Sequence, residues 1–411
     1  MASKSPEVRD IGWWRRLWEP FWALPATIAL GSIAIGVVLP IADTFVAEHV
    51  PYVFGGGPDG ARSVLSTVAT AMISVTGLVF SITMVVLQLA SSQFSPRILG
   101  TFLQRRIVQT TLGVFTGSFL YALTVLRSIE GEGSSASEVP QASVTLAYAY
   151  VVTAVLLFLA FIHAITTAVQ ASQVISRIGT ETRAEVRAIV PEQGADAASE
   201  RPRPVSRRGL TTTPLLAVER HGHITAIDSA AIAEWAKEHE AQVHLEVSPG
   251  DFIVQDRRIG TVVSVKHLDT DALDKTENFV RLSSERTVHA DFGFGIRQLL
   301  DIAERALSPG INDPTTAEQA INELHTILRL LATSPSPSPF IRDGDGVVRG
   351  SYRPQTLETE GKRVLDELIA TADGSQRILS RLARMMEDLQ TAALPEHSAS
   401  IRELRARLAR A

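Results

Sequence analysis

Residues 63–96 read SVLSTVATAMISVTGLVFSITMVVLQLASSQFSP and contain no ionisable side chain. Small or polar residues recur along this stretch every three or four positions, several of them seven apart: Thr67, Thr70, Ser74, Gly77, Ser81, Gln88 and Ser91. On a helix these residues form one narrow stripe, here named the polar seam, while the other faces carry Val, Leu, Ile, Phe and Met. A membrane helix with such a stripe must cover it with other helices or with water.

The composition divides the chain into an apolar part and a polar part. The chain has 411 residues and a mean hydropathy of +0.14, which is too apolar for a soluble enzyme and too polar for membrane helices alone. The formal net charge of -5 does not indicate nucleic-acid binding. The chain has no cysteine, which excludes disulfides, thiolate metal sites and cysteine nucleophiles.

Four apolar runs predict four transmembrane helices, since each run meets the requirement of about 20 residues for a bilayer core. These helices are expected at residues 21–43, 64–92, 107–127 and 144–171. Tryptophans crowd around Arg15 and Arg16 before the first run. That pattern is typical of interfacial anchoring and argues against a cleavable signal peptide.

The charged residues between the runs indicate the orientation. Most basic residues lie before the first run, between the second and third, and after the fourth: Lys4, Arg9, Arg15, Arg16, Arg97, Arg105, Arg106, Arg177, Arg183 and Arg187. The other two loops are acidic or rich in glycine. The positive-inside rule therefore predicts cytoplasmic N- and C-termini, although Arg62 and Arg127 lie on the opposite side.

Two further features of the runs are candidates for function. Gly113 and Gly117 of the third run, like Gly77 of the second, allow close helix packing, either between copies or within one four-helix bundle, and we favour the bundle. His163 is an ionisable residue late in the fourth run. A neutral histidine hydrogen-bonded to a nearby Ser or Thr is favoured there over a proton relay or a ligand.

The polar half follows a membrane domain over residues 1–174. Its predicted parts are a polar helix with a Pro/Arg/Ser linker, a small α+β module, and a mainly helical region that contains a Ser-Pro linker near 334–339; they cover residues 175–213, 214–268 and 269–411. The fold class is thus an integral membrane α-helical bundle of four transmembrane helices plus a cytoplasmic α+β domain. His221 and His223 flank a glycine in a turn, and without further ligands they do not predict a metal site.

The densest segment of the polar half is DFGFGIRQLLDIAERALSPGINDP at residues 291–314. It predicts a helix from about 294 to 307 and a second helix that begins at Asp313-Pro314. Arg297, Asp301 and Arg305 are spaced to form ion pairs on one helical face.

The same segment offers oxygen ligands that suit a divalent cation. These are the side chains of Asp301, Glu304, Asn312 and Asp313. Helix capping and salt bridges explain the four residues better, so we predict neither a metal site nor a catalytic site there.

Two segments resemble the characteristic segments of domain-of-unknown-function family 2254, a widespread bacterial family of predicted membrane proteins. They are VTGLVFSITMVVLQLASSQFSPR at residues 75–97 and RQLLDIAERALSPGINDPTTA at residues 297–317. The resemblance covers both halves and implies the same topology in a bacterial inner membrane, but it implies no activity. Family members carry Gln before the aspartate that is Asp291 here, whereas this chain has Ala290.

Three functions remain open. The first is a homo-oligomeric ion channel or pore, with Thr67, Thr70, Ser74, Ser81 and Gln88 lining the path of inorganic ions and the cytoplasmic half forming a vestibule or gate. The second is a signalling or scaffolding protein in which the seam only packs helices. The third is an enzyme, which we do not favour because the chain lacks nucleotide-hydrolase, α/β-hydrolase and zincin motifs. The expected partners are the lipid bilayer and further copies of the chain, with no cofactor and no nucleic acid.

Overall fold

The structure is a computed structural model, and it describes most of the chain. The described residues are 20–47, 54–93, 106–129, 139–168, 170–190, 211–216, 221–265, 267–269, 272–273, 275–372 and 374–410. They fall into two units, one within Asp10–Gln173 and one within Val174–Ala411. The first is called the membrane unit and the second the C-terminal unit.

The membrane unit contains four long helices: α1 (Ala23–Ala47), α2 (Pro58–Gln93), α3 (Arg106–Ser128) and α4 (Gln141–Ala168). All four are long and apolar enough to cross a bilayer, which confirms the four apolar helices predicted from the sequence. At 36 residues, α2 is about 54 Å long and exceeds a hydrocarbon core of about 30 Å.

Helix α3 is the centre of this bundle and packs against the other three helices. A Cβ atom added to Gly113 would lie 2.8 Å from Ile28 Cδ1, and one added to Gly117 would lie 2.5 Å from Ser32 Oγ. Both glycines therefore allow α1 and α3 of one chain to approach closely, as expected for packing within the bundle.

Polar side chains join the helix ends of the membrane unit. The Asp43 carboxylate accepts hydrogen bonds from the Ser143 N–H at 2.9 Å and the Ala142 N–H at 3.3 Å, and so caps the first turn of α4. The Arg62 guanidinium donates to the Ile129 carbonyl at 3.0 Å, just past the end of α3. A cation is favoured at a helix C-terminus, so Arg62 has a local reason to depart from the positive-inside pattern.

The C-terminal unit combines two sheets with a group of helices. Its elements are α5 (Ala171–Ile189), which begins just before the unit, β1 (Thr211–Leu216), β2 (Gly222–Ile227), α6 (Ser229–Glu238), β3 (Ala241–Leu245), β4 (Phe252–Ile253), β5 (Arg258–Ser264), a 3-10 helix (Lys275–Phe279), β6 (Val280–Ser283), α7 (Phe292–Leu307), α8 (Pro314–Ala332), β7 (Phe340–Arg342), β8 (Val348–Ser351), α9 (Leu357–Ala372), α10 (Gln376–Ala392), a 3-10 helix (Pro395–His397) and α11 (Ser398–Leu408).

The two sheets take strands from distant parts of the sequence. One sheet has the order β1-β5-β3-β8-β7 and the other has the order β4-β2-β6. Their shared core includes Ile232, Val243, Val262 and Phe279. Since β6, β7 and β8 lie beyond residue 268, the α+β structure extends past the module expected at 214–268. The strand β6 has only four residues, too few for its alternation to stand out from the helical pattern predicted after Asp271.

The helices α7 to α11 form the rest of this unit. Helix α7 packs against α8 and α9, α8 packs against α10, and α11 packs against α9 and α10. Helix α10 contributes an apolar stripe to this core, since Ile378, Leu382, Met385 and Leu389 are all buried.

The α1–α3 contact generates a stability prediction. Gly117→Ala is expected to destabilise the membrane unit by about 1–3 kcal/mol, because the added methyl group collides with Ser32. Gly31→Ala is the control on α1, where nothing lies within 4 Å of the added atom. Thermal unfolding in detergent should show a lower melting temperature for Gly117→Ala alone. Equal stability of the two variants would contradict the described packing.

Candidate functional site: the polar seam and the signature segment

The polar seam lies on the surface of the membrane unit. Its described side chains are exposed, including those of Thr70, Ser81 and Gln88, while Met72 and Val79 on the opposite face of α2 are buried. Gly77 has no heavy atom within 4 Å of the position that a Cβ would take. The described residues of a single chain therefore leave the seam uncovered from Thr67 to Gln88.

The seam hydroxyls bond to their own helix. Each donates to the carbonyl four residues earlier, at 2.7 Å for Thr67, 2.9 Å for Thr70, 2.8 Å for Ser74 and 2.9 Å for Ser81. Because a carbonyl oxygen can only accept, the hydroxyl proton is committed and the oxygen lone pairs remain available. The Gln88 carboxamide makes no hydrogen bond to any described residue. The described side chains of the seam thus form a row of oxygen acceptors that ends at the amide of Gln88.

Apolar side chains border the seam on both sides. At 100° per residue, Ile73 and Phe80 lie along one border, and Leu78 and Val85 lie along the other. All four are exposed large hydrophobics, with Phe80 54% exposed. A polar stripe between two apolar borders suits a surface whose edges meet lipid or another helix and whose middle meets water.

His163 also lies on the exposed surface of the membrane unit. Its main-chain oxygen accepts a hydrogen bond of 2.9 Å from the Thr167 hydroxyl. Its imidazole ring makes no hydrogen bond to a described residue. The Thr167 hydroxyl therefore bonds to the His163 main chain and not, as expected, to the ring.

Residues 291–314 of the C-terminal unit are here named the signature segment. This segment begins at Asp291, whose buried carboxylate is 1% exposed. Arg286 donates to it through Nε at 2.9 Å and Nη2 at 3.0 Å, and the Phe294 N–H at 3.1 Å makes Asp291 the N-cap of α7. The Gln355 amide donates to Asp291 at 2.7 Å and to the Pro249 carbonyl at 3.0 Å. This cluster joins the sheets to the helices. Gln355 lies 64 residues from Asp291, and no local sequence pattern could have indicated it.

The expected ion pair on α7 is present. Arg297 donates to Asp301 at 2.6 Å and to Glu304 at 3.0 Å, and it also pairs with Glu367 of α9. Burial raises the pKa of Glu304; the cation of Arg297 opposes this effect and the carboxyl of Glu367 adds to it. Sequence spacing indicates Asp301 but cannot indicate Glu367, which lies on another helix. Arg305, the third residue expected on this helical face, lies half-buried near the end of α7.

Asn312 and Asp313 form the turn from α7 to α8. Asn312 has φ +47°, a left-handed conformation that asparagine tolerates. Asp313 accepts from the Thr315 and Thr316 amides at 3.1 Å and from the Thr316 hydroxyl at 2.6 Å, which lowers the pKa of Asp313. These residues therefore have the helix-capping role that the sequence indicates. Among the described residues, no three His, Asp or Glu side chains are grouped to hold a metal ion.

Ala290 lies in the turn that precedes α7. Its φ of +60° is unfavourable for alanine by about 1–2 kcal/mol. Its N–H donates to the Glu185 carboxylate of α5 at 2.7 Å, a bond that holds the turn. Ala290 thus connects α5 to the start of α7.

Glu360 of α9 is a second buried carboxyl near Asp291. Its Oε2 lies 3.0 Å from Arg363 Nη1, although the orientation is too poor for a hydrogen bond. Burial raises the pKa of Glu360 above its ordinary value of 4.5; Arg363 opposes the shift, and the charge of Asp291 adds to it. The folded state therefore favours the protonated form.

A pH-dependent stability follows from Glu360. A raised folded pKa gives a contribution that is fully present below the unfolded pKa and is lost as the pH rises through the folded value. Glu360→Gln, which cannot ionise, is therefore expected to gain stability relative to wild type as the pH rises above 4.5. Denaturant unfolding of the full chain in detergent at a series of pH values, followed by circular dichroism, measures this difference. Glu358→Gln, on the exposed first turn of α9, should show no gain in stability with rising pH. If Glu360→Gln also showed no such gain, the prediction would be contradicted.

Comparison with known proteins gives one family. A family described as "Predicted membrane protein (DUF2254)" matches residues 18–388. The uncharacterized proteins Rv1290c of Mycobacterium tuberculosis and Mb1321c of Mycobacterium bovis are each 32% identical over 336 residues, which covers 79% of this chain and 63% of the relative. The chain thus spans less than two thirds of these relatives, and no solved structure matches it significantly. The chain belongs to the DUF2254 family of predicted membrane proteins.

Proposed function

We propose that the protein is a homo-oligomeric ion channel or pore, and that α2 of each copy lines the path. The exposure of the polar seam on the face of α2 opposite the bundle core carries this proposal. Since lipid offers no hydrogen bonds, a seam between Thr67 and Gln88 is best accommodated facing water. Several copies around a common axis would place their seams in one aqueous path.

The chemistry of the seam suits the passage of ions. Hydroxyl oxygens whose protons are held by α2 carbonyls present lone pairs that can replace part of a hydration shell. The stretch 63–96 contains no ionisable residue, so the path would have no fixed charge of its own. Layers of Val, Leu or Phe beside the seam can close such a path by dewetting.

In this proposal the C-terminal unit would act as a vestibule or gate through α5. Helix α5 follows α4 after only two residues. Within the C-terminal unit, Arg183 of α5 donates to Thr326 of α8 at 2.8 Å and pairs with Glu323, and Glu185 holds the turn before α7. A displacement of α7 or α8 would therefore act on α5, which follows the last span in the sequence.

The alternative is a membrane-anchored signalling or scaffolding protein. Its specific support is that the seam hydroxyls already donate to α2 carbonyls and so tolerate a dry environment. In that case the seam packs against helices of another copy, Gly77 allows close approach, and the C-terminal unit binds a ligand or partner.

Ion flux through purified protein in liposomes tests the proposal. Wild type should conduct above empty liposomes, and Gln88→Leu and Thr70→Val should each reduce flux by about fivefold, the value of one lost hydrogen bond of about 1 kcal/mol. The matched control is Thr83→Val, because the Thr83 hydroxyl bonds to Val79 on the buried face of the same helix. All variants should retain the oligomer.

Other outcomes separate the alternatives. If Thr83→Val reduced the flux as much as Gln88→Leu and Thr70→Val, the seam could not be assigned as the wall of the path. Absence of flux under every ion and pH gradient, with Thr70→Val and Gln88→Leu altering assembly, would favour the scaffold instead.

A further inference from the structure

The helices α8 and α10 pack side by side and carry four arginines on one surface of the C-terminal unit: Arg329, Arg377, Arg381 and Arg384. Two of them are neutralised by carboxylates. Arg377 bonds to both oxygens of Glu318 at 2.8 Å, and Arg329 pairs with Asp388.

Arg381 is half-buried and is held only by neutral groups among the described residues. Its Nε donates to Asn322 Oδ1 at 2.8 Å, and its Nη2 donates to His325 Nδ1 at 2.9 Å. His325 Nε2 in turn bonds to Asp388 Oδ2 at 2.7 Å, so the proton of the ring lies on Nε2 and the ring is neutral. Burial lowers the pKa of His325, in agreement with this neutral form. The described residues leave three N–H groups of the Arg381 guanidinium without an acceptor.

Arg384 lies one helical turn beyond Arg381, which places the two Cβ atoms about 5–6 Å apart. Its side chain is exposed and forms no ion pair with a described residue. Burial lowers the pKa of Arg381, and the charge of Arg384 adds to this effect, whereas Glu318 and Asp388 oppose it. The surface therefore has two guanidinium groups, those of Arg381 and Arg384, that form no ion pair with a described carboxylate.

We propose that Arg381 and Arg384 form a binding site for a phosphate monoester group. Such a group carries a charge of about -1.5 to -2 at neutral pH, so one ligand matches both guanidinium charges, which a single carboxylate cannot do. Guanidinium donors fit phosphate oxygens in pairs. Asn322 and His325 fix Arg381 before binding, which lowers the cost of ordering the side chain. This site is independent of the proposed pore.

Two sources of the group, a soluble phosphate monoester and a monoester lipid headgroup, are distinguished by two titrations. Purified full-length protein in detergent without phospholipid is titrated with glycerol phosphate in one and with detergent-dispersed phosphatidic acid in the other. Binding is measured by calorimetry and by the shift in melting temperature. Saturable binding in either titration supports the site, and the titration in which it occurs identifies the source.

Arg384→Gln is the test variant, because the Arg384 side chain is exposed and forms no ion pair with a described residue. It should weaken the binding about tenfold or more, since it removes charge-assisted hydrogen bonds, and it should leave the ligand-free melting temperature unchanged. Arg402→Gln is the control, because Arg402 is an exposed arginine of α11 that has no ion pair with a described residue. Binding in neither titration, or equal weakening in both variants, would overturn the proposal.

Discussion

A polar group inside a bilayer must find a hydrogen-bond partner in the protein or in water, and this constraint organises the membrane unit. At the helix ends, Asp43 caps α4 and Arg62 bonds to the end of α3. Between the helices, the Ser32 and Tyr150 hydroxyls bond to each other at 2.9 Å. Along α2 the hydroxyl protons are satisfied by backbone carbonyls, but the oxygens face outward. Along the seam a single described chain leaves this requirement incomplete, and the proposed oligomeric path would complete it.

The same constraint acts in the core of the C-terminal unit. Asp291 is buried with a guanidinium, an amide side chain and a helix N-terminus around it, so its charge is satisfied by donors from several elements. The turn before α7 is bonded to Glu185 of α5. The signature segment of the family is therefore the junction at which the sheets, α7 and the helix that follows the last span are held together. This arrangement explains a structural demand on these residues without invoking catalysis.

Local patterns predicted what local forces determine. The four spans follow from apolar length, and Asp313 caps α8 through bonds that reach only two or three residues. The partners Gln355 and Glu367 lie 64 and 70 residues from the groups they contact, so neither spacing nor composition could indicate them. The sequence also places the polar seam on one face of α2, but which face α3 covers depends on packing between helices. For that reason the exposure of the seam emerges only from the structure.

The central claim is that the seam of α2 faces water. Since the natural chain has no cysteine, single cysteines can be placed along α2 without altering the background. A charged thiol reagent is applied to the protein in vesicles, because thiolates form readily only in contact with water. Cysteines at Thr70, Ser74 and Ser81 should react much faster than those at Phe80 on the apolar border and Thr83 on the buried face. Equal rates at all five positions, or faster reaction at Phe80, would contradict a water-filled path along the seam.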